Sequence, residues 1–225
     1  MSKLTDRVRE TLRDSPLWLS FLASPFYQDL ALPLRSNAQV RRWLKAGRPA
    51  PVPHAVKVRN LLTIADLYGL NVLIETGTYQ GQMIQSTKHR FKSIYSIEIY
   101  EPFAAAARKR FRDFPNVNIV LGDSAHKMPE VLAPLNEPVL FWLDGHYSGE
   151  GTGAGAEDSP VIQEVEHILQ SRANYRDAII IDDARCFTGE GGYPILKDFL
   201  NTLRERFKAE PRVANDAIFL LPASF

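Results

Sequence analysis

Carboxylates recur at one kind of place in this chain. Five apolar runs each end in an acid: Val72 to Glu75, Ile94 to Glu98, Val117 to Asp123, Val139 to Asp144, and Ala178 to the pair Asp182 and Asp183. A carboxylate there can accept hydrogen bonds from sugar hydroxyls or amino groups, take up a proton, or hold a hard cation. The first run continues through Thr76-Gly77-Thr78-Tyr79-Gln80-Gly81 into a helical stretch. Two glycines at that spacing let backbone approach a ligand closely, because neither carries a Cβ. A nucleotide-like cofactor is expected at this turn, although strand, glycine turn and helix also occur as plain packing. Glu98, 23 positions after Glu75, stands where a nucleotide-binding fold places an acid to accept from both ribose hydroxyls. Asp123, between Gly122 and Ser124, could accept from an adenine amino group.

Asp144 and the Asp182-Asp183 pair pose a different problem. Up to three carboxylates at neighbouring strand ends repel one another unless a cation lies among them, and hard oxygen ligands suit Mg²⁺. The plain alternative is that one of Asp182 and Asp183 caps the next segment while the other is solvated. His146, two residues past Asp144, is the candidate general base, since its ordinary pKa lies near operating pH; a histidine that merely bonds a carboxylate is the alternative. Arg185 could bind a substrate anion or pair with an acid. Cys186 reads as a small buried apolar residue, and His54, His89, His126 and His167 read as surface or structural.

The elements that must position these groups follow from periodicity. Val58, Leu61, Leu62 and Ala65 repeat at helical spacing up to Gly69, and the spacing predicts further helices over 82–90, 103–114 and from Ser159-Pro160 onward, the last burying Ile162, Val165, Ile168 and Leu169. Leu196, Phe199, Leu200, Leu203 and Phe207 mark another. Strands that alternate with helices mean βαβ units and a parallel sheet. Short runs on either side of Asn215-Asp216 predict a closing antiparallel hairpin. Gly149 to Gly155 form a glycine-rich loop that reads as either a lid or a connector. Residues 1–53, rich in aromatics and broken by Pro16, Pro25 and Pro33, read as a helical N-terminal cap.

A formal charge of +1, from 27 basic and 26 acidic residues, supplies no field that would select nucleic acid or an anionic membrane. The single cysteine forbids an internal disulfide, Met1 to Arg13 is too charged for a secretory leader, and no apolar stretch reaches the ~18 residues of a membrane span. A cytoplasmic protein is expected.

Glu75-Thr76-Gly77-Thr78-Tyr79-Gln80-Gly81, Glu98, Gly122-Asp123-Ser124 and the closing hairpin together resemble class I S-adenosylmethionine-dependent methyltransferases over residues 54–225. The resemblance implies a Rossmann-like α/β fold of seven strands ordered 3-2-1-4-5-7-6. It implies that the turn from Glu75 through Thr76, Gly77 and Thr78 to Gly81 faces the methionine part of the cofactor. Ribose contact by Glu98 and adenine contact at Asp123 and Ser124 follow from it too. Leu143-Asp144-Gly145-His146 with Ile181-Asp182-Asp183 is similar to the metal-dependent O-methyltransferases that modify sugars in natural-product biosynthesis, of the macrocin type. That likeness makes Asp144, Asp182 and Asp183 the metal ligands and a small hydroxylated molecule the acceptor. A homodimer is left open as the assembly. Those enzymes carry Pro-Gly-Gly before strand five, where this chain has Ala173-Asn174-Tyr175-Arg176-Asp177. The readings that compete are a non-catalytic cofactor-binding module on the same fold and an NAD-dependent oxidoreductase. Tyr79, standing where a dinucleotide fold needs its middle glycine, argues against the second.

Overall fold

Runs such as Val139-Leu-Phe-Trp-Leu143 and Ala178-Ile-Ile-Ile181 have no polar alternation, and a strand of that kind is stable only where both its faces are covered. In the computed structural model, which describes residues 32–144 and 160–222, these runs form the centre of one sheet. Helix α1 (Leu32–Lys45) and helix α2 (His54–Tyr68) precede strand β1 (Val72–Thr76). There follow α3 (Gln82–Thr87), β2 (Ser93–Glu98), α4 (Glu101–Arg110), β3 (Val117–Leu121), α5 (Ser124–Leu132) and β4 (Val139–Leu143). Then come α6 (Val161–Ser171), β5 (Ala178–Ile181), a 3₁₀ turn (Ala184–Cys186), α7 (Leu196–Phe207), β6 (Arg212–Ala214) and β7 (Ala217–Leu220).

The strands lie in the order β3-β2-β1-β4-β5-β7-β6. β1 to β5 are parallel, and β7 runs antiparallel to both β5 and β6. This is the topology that the resemblance implies. Its register brings the strand ends level, with Thr76 opposite both Ile97 and Leu143, and Leu143 opposite Ile181. The acids that follow are therefore brought to one edge, outside the carboxyl ends of the parallel strands.

Period-two alternation decides which face each residue serves. Val72, Ile74, Phe141, Ile179 and Ile218 pack against residues of α5, α6 and α7. Leu73, Ile94, Leu140, Trp142, Ile180 and Phe219 pack against residues of α2, α3 and the end of α4. The same parity puts Glu75, Ser96, Glu98 and Asp182 on the α2 side and Thr76 on the α6 side.

Several helix limits differ from the sequence reading. α3 stops at Thr87, and α4 begins at Glu101 with Pro102 in its first turn and ends at Arg110. Phe111, which periodicity would keep in that helix, is buried at the turn that follows. On α6 the apolar stripe is Val161, Val165 and Ile168, while Ile162 is exposed. Position 164, in register with that stripe, is a glutamate. The cap before Pro160 and the aromatic segments of the first 31 residues lie outside the described residues.

By contacts the chain divides into two units, one running to Pro49 and taking in Pro53–Val56, the other comprising Ala50–Val52 and everything from Lys57 onward. In the first, the Trp43 indole donates to the Pro49 carbonyl at 2.8 Å. The second holds the sheet and all the site residues discussed below.

Candidate active site

The turn after β1 is shaped by three left-handed residues. Gly77, Tyr79 and Gly81 have φ of 79°, 47° and 68°, and a Cβ at Gly81 would lie 2.7 Å from the Phe111 ring, so both backbone and packing require glycine there. Tyr79, a non-glycine residue in this region, has its N–H fixed by the Glu98 carboxylate at 2.8 Å. The other Glu98 oxygen accepts from the Tyr100 N–H, also at 2.8 Å. Glu98 is thus clamped by two backbone donors at the end of β2, and each of its oxygens retains acceptor capacity.

Behind the turn runs a buried polar chain. Thr78 Oγ1 lies 2.6 Å from Ser96 Oγ, and the Ser96 hydroxyl donates to Glu75 at 2.6 Å. Burial pushes the Glu75 carboxyl up to about 8, Ser96 opposes the shift, and Asp144 and Glu98 add repulsion. Glu75 is therefore a residue held behind the turn, and the chain it anchors positions Thr78.

On the opposite face Thr76 Oγ1 accepts from the Asp144 N–H at 3.2 Å and lies 3.5 Å from Glu164 Oε2. Glu164, from the first turn of α6, is wholly buried, and Ser124 is its other hydrogen-bond partner. Its Oε1 has no partner among the described residues. Burial raises its carboxyl to about 7 against the pull of Ser124 and Thr76, with Asp123 and Asp144 adding repulsion. Asp123 is the N-cap of α5, accepting from the Ala125 N–H at 3.0 Å, and its second oxygen lies 3.6 Å from exposed His126.

One carboxylate oxygen from each of Asp144, Asp182 and Asp183 can be chosen so that all lie within 4.8 Å of one another. Asp182 and Asp183 are buried, and Asp182 Oδ1 has no hydrogen-bond partner among the described residues. Both features fit a hard cation. Two side chains of this protein already answer the charge. Lys57 Nζ, from α2, bonds Asp182 Oδ2 and lies 3.1 Å from Asp183 Oδ1. Arg185 donates to the same Asp183 oxygen at 2.7 Å and to Asp216 in the hairpin turn. The donor set suits Mg²⁺, and a lysine is bonded to two of its three members.

The charge states agree with this arrangement. Burial works against the Lys57 ammonium, but Asp182, Asp183 and Asp144 outweigh it and hold its pKa above the ordinary value. Burial and the neighbouring Asp144 lift Asp182 to about 7 in spite of Lys57. Asp183 is buried too, yet Arg185 and Lys57 hold it below the usual range. Lys57 and Asp183 are a charged pair, and Asp182 sits near the point of taking a proton.

Glu75, Thr76, Gly77, Thr78, Gly81 and Glu98 thus converge around one turn, with Asp123 and Ser124 at the next strand end. Asp144, Asp182 and Asp183 cluster beside them. His146, the candidate base, and the Gly149 to Gly155 loop lie outside the described residues. Arg185 takes the acid-pairing role. Cys186 is only partly buried, because the 3₁₀ turn carries it away from the core that Ala184 enters. Sequence reasoning missed Lys57, Glu164 and Asp216. The first two did leave a signal: Lys57 stands four residues before Leu61 and Glu164 three after Val161, each a charge inside an apolar stripe.

A scan against models of known protein families returned no match. Over 91 residues the chain is 30% identical to protein-L-isoaspartate O-methyltransferase 2 of Polaromonas sp. (strain JS666 / ATCC BAA-500), a stretch covering 37% of this chain and 43% of that protein. The match therefore spans under half of that relative's length. Among solved structures, the O-methyltransferase TomG of Streptomyces achromogenes, involved in tomaymycin synthesis and solved with SAM, aligns with a TM-score of 0.54 at 14% identity, over 84% of this chain and 89% of its own. The Podospora anserina methyltransferase PaMTH1, solved with SAH, aligns at 0.55 and 16% identity over 99% and 97%. A putative caffeoyl-CoA O-methyltransferase of Staphylococcus aureus aligns at 0.56 and 10% identity over 88% and 100%.

Proposed function

We propose, starting from the class I methyltransferase fold that this chain has, that it transfers a methyl group from S-adenosylmethionine to an oxygen of a small hydroxylated acceptor, a sugar or other natural product. The observation that carries this reading is Glu98. Its two oxygens, each already fixed by a backbone N–H, stand beside the Gly77 to Gly81 turn with lone pairs left for a pair of ribose hydroxyls. Asp123 and Ser124 flank the neighbouring strand end and suit an adenine. S-adenosylmethionine bound there would supply an electrophilic methyl group on sulfur.

The residues of this chain then have positional work. Gly77 and Gly81 let the backbone lie close to the cofactor, and the Glu75–Ser96–Thr78 chain holds the turn that faces it. Asp144, whose N–H is held by Thr76, and His146, two positions on in sequence, are proposed to take the acceptor's hydroxyl proton. Transfer to the acceptor oxygen would leave the carbon–sulfur electron pair on sulfur and the acceptor's proton with these two residues. Holding donor and acceptor in line and excluding water accounts for most of such a rate enhancement. No helix of the described residues is long and apolar enough to cross a membrane, which accords with a cytoplasmic enzyme.

A second reading adds a divalent metal at Asp144, Asp182 and Asp183. The spacing of these carboxylates and the unpartnered Asp182 Oδ1 favour it, and a metal there would lower the pKa of the acceptor hydroxyl. Titration calorimetry with S-adenosylmethionine and with its demethylated product tests the main reading. Micromolar binding of both is expected, and no heat from either at millimolar concentration would refute it.

A further inference from the structure

The acidic cluster has its own cation. We propose that the Lys57 ammonium occupies the cation position of the Asp144, Asp182 and Asp183 cluster, so that a divalent metal binds there only when Lys57 is removed or drawn away. The proposal is independent of the cofactor reading, since it concerns cation occupancy of the protein alone.

Three observations carry it. Lys57 Nζ is bonded to Asp182 Oδ2 and lies 3.1 Å from Asp183 Oδ1, so it already engages two of the three carboxylates that could share an ion. The contact is buried, with the side chains of Asp182 and Asp183 only 1% and 6% exposed and that of Lys57 18%. A lysine in that setting is no surface pair exchanging freely with solvent. Finally, Asp182 Oδ1 is buried without a partner. The ammonium bonds the other oxygen of that carboxylate, and the orphan is the acceptor a second cation would use once Lys57 had gone.

The backbone explains why the lysine is there. Lys57 stands on α2 one turn before Leu61, and Leu61, Ile64 and Ala65 pack on the face of the sheet that carries Leu73, Leu140 and Ile180. By strand parity Asp182 points to that face. Helical side chains lean toward the N-terminus of their helix, so a long side chain at position 57 lies over apolar surface and delivers its charge at the strand ends. The tether is a packed helix, and it holds the ammonium in place at small entropic cost. A divalent ion at 2.0 to 2.1 Å from the carboxylate oxygens would share those same oxygens with the ammonium, and the two positive charges would repel at close range in a poorly solvated site. Arg185, bonded to Asp183 and Asp216, adds to that repulsion without occupying the cluster. The site is thus adapted to one tethered monovalent cation.

Mn²⁺ binding followed by electron paramagnetic resonance on the apoprotein tests this, with neither cofactor nor acceptor present. The wild type is expected to bind Mn²⁺ no more tightly than about 1 mM. Lys57→Met and Lys57→Gln should gain about tenfold or more, Lys57→Arg should gain nothing, and adding Asp182→Asn to Lys57→Met should abolish the gain. Wild-type binding in the low micromolar range overturns the proposal however the variants behave, as does a folded Lys57→Met protein without increased affinity. Should the neutral variants not fold, the wild type still decides. Its ¹⁵N-lysine spectrum should contain one ammonium signal protected from exchange with water that is missing from Lys57→Arg, and a spectrum without it overturns the proposal. Retained cofactor binding in calorimetry alongside micromolar Mn²⁺ would reject the tethered cation while leaving the methyltransferase reading intact.

Discussion

Where β4 and β5 begin, Arg172 directs its donors at fixed partners: Asp177 at 2.6 and 3.0 Å, the Glu137 carbonyl at 2.7 Å and the Leu135 carbonyl at 3.0 Å. Asp177 also accepts from the Val139 N–H at 2.8 Å. Where the same strands end, Asp144, Asp182 and Asp183 crowd together and Asp182 Oδ1 has no partner. One edge has a bidentate ion pair with its surroundings satisfied, and the other has carboxylates in excess. A buried charge is tolerable when paired and hydrogen-bonded and costly otherwise, so the first edge serves to fix the strands, whereas the second relies on Lys57 and Arg185 and still leaves one buried carboxylate oxygen without a partner.

The widest separation of the two edges comes from breaking the satisfied one. Arg172→Met should cost roughly 3 to 5 kcal/mol of stability in urea unfolding, because it strands a buried aspartate and two carbonyls. Cofactor affinity of the protein that remains folded should stay within about twofold of wild type. At the opposite edge Glu98→Gln should act chiefly on binding. It replaces one acceptor oxygen by a donor, and calorimetry should show S-adenosylmethionine bound about 10 to 100 times more weakly, while the N–H of Tyr79 or Tyr100 that loses its acceptor should lower the unfolding free energy by only about 1 to 3 kcal/mol. If both substitutions lowered stability equally and left binding alone, the contrast between the edges would fail.

How much of this could be read in the sequence follows from what each signal depends on. The parallel strands announced themselves because a strand buried on both faces must be apolar throughout, and the strand limits of β1 to β5 emerged at the residues where those runs end. Glu75, Glu98 and Asp123 were legible because an acid closing such a run has few other places to be. Helix limits were less so: α4 ends where Phe111 turns into the core, a tertiary effect that periodicity along one helix does not register. Lys57, Glu164 and Asp216 were missed because each belongs to an element read for its apolar residues or its turn. Burial of a charge is a property of two elements at once, and Lys57 meets Asp182 across 125 positions of sequence.

The two buried glutamates at the crowded edge should give stability a pH dependence of their own. In the unfolded chain a glutamate loses its proton near pH 4.5, whereas the folded Glu75 and Glu164 keep theirs to about pH 8 and about pH 7. Between those limits the folded state binds more protons, so stability falls as pH rises, by up to ~1.4 kcal/mol per pH unit for each group, and levels off above the folded value. Urea unfolding at pH 5, 6, 7 and 8 should show Glu164→Gln flattening the slope below pH 7 and Glu75→Gln flattening it up to pH 8. A slope unchanged in both variants would mean that these carboxyls ionise in the folded protein as they do in water.

The smallest effect concerns Asp216, where the crowded edge meets the closing hairpin. Asn215 and Asp216 both have positive φ, at 47° and 57°, which is the conformation of a two-residue hairpin turn that favours glycine at its second position. Asp216 stays because its carboxylate accepts the Arg185 N–H at 3.0 Å and bonds the Arg185 guanidinium. Asp216→Ala loses those bonds and retains the unfavourable φ, and should destabilise by about 1 to 2 kcal/mol. Asp216→Gly loses the same bonds but relieves the backbone, so it should lie closer to wild type by about 1 kcal/mol. Urea midpoints of the two variants, measured side by side, isolate the backbone contribution, since the lost contacts are the same. An alanine variant as stable as the glycine one would show that the turn carries no strain.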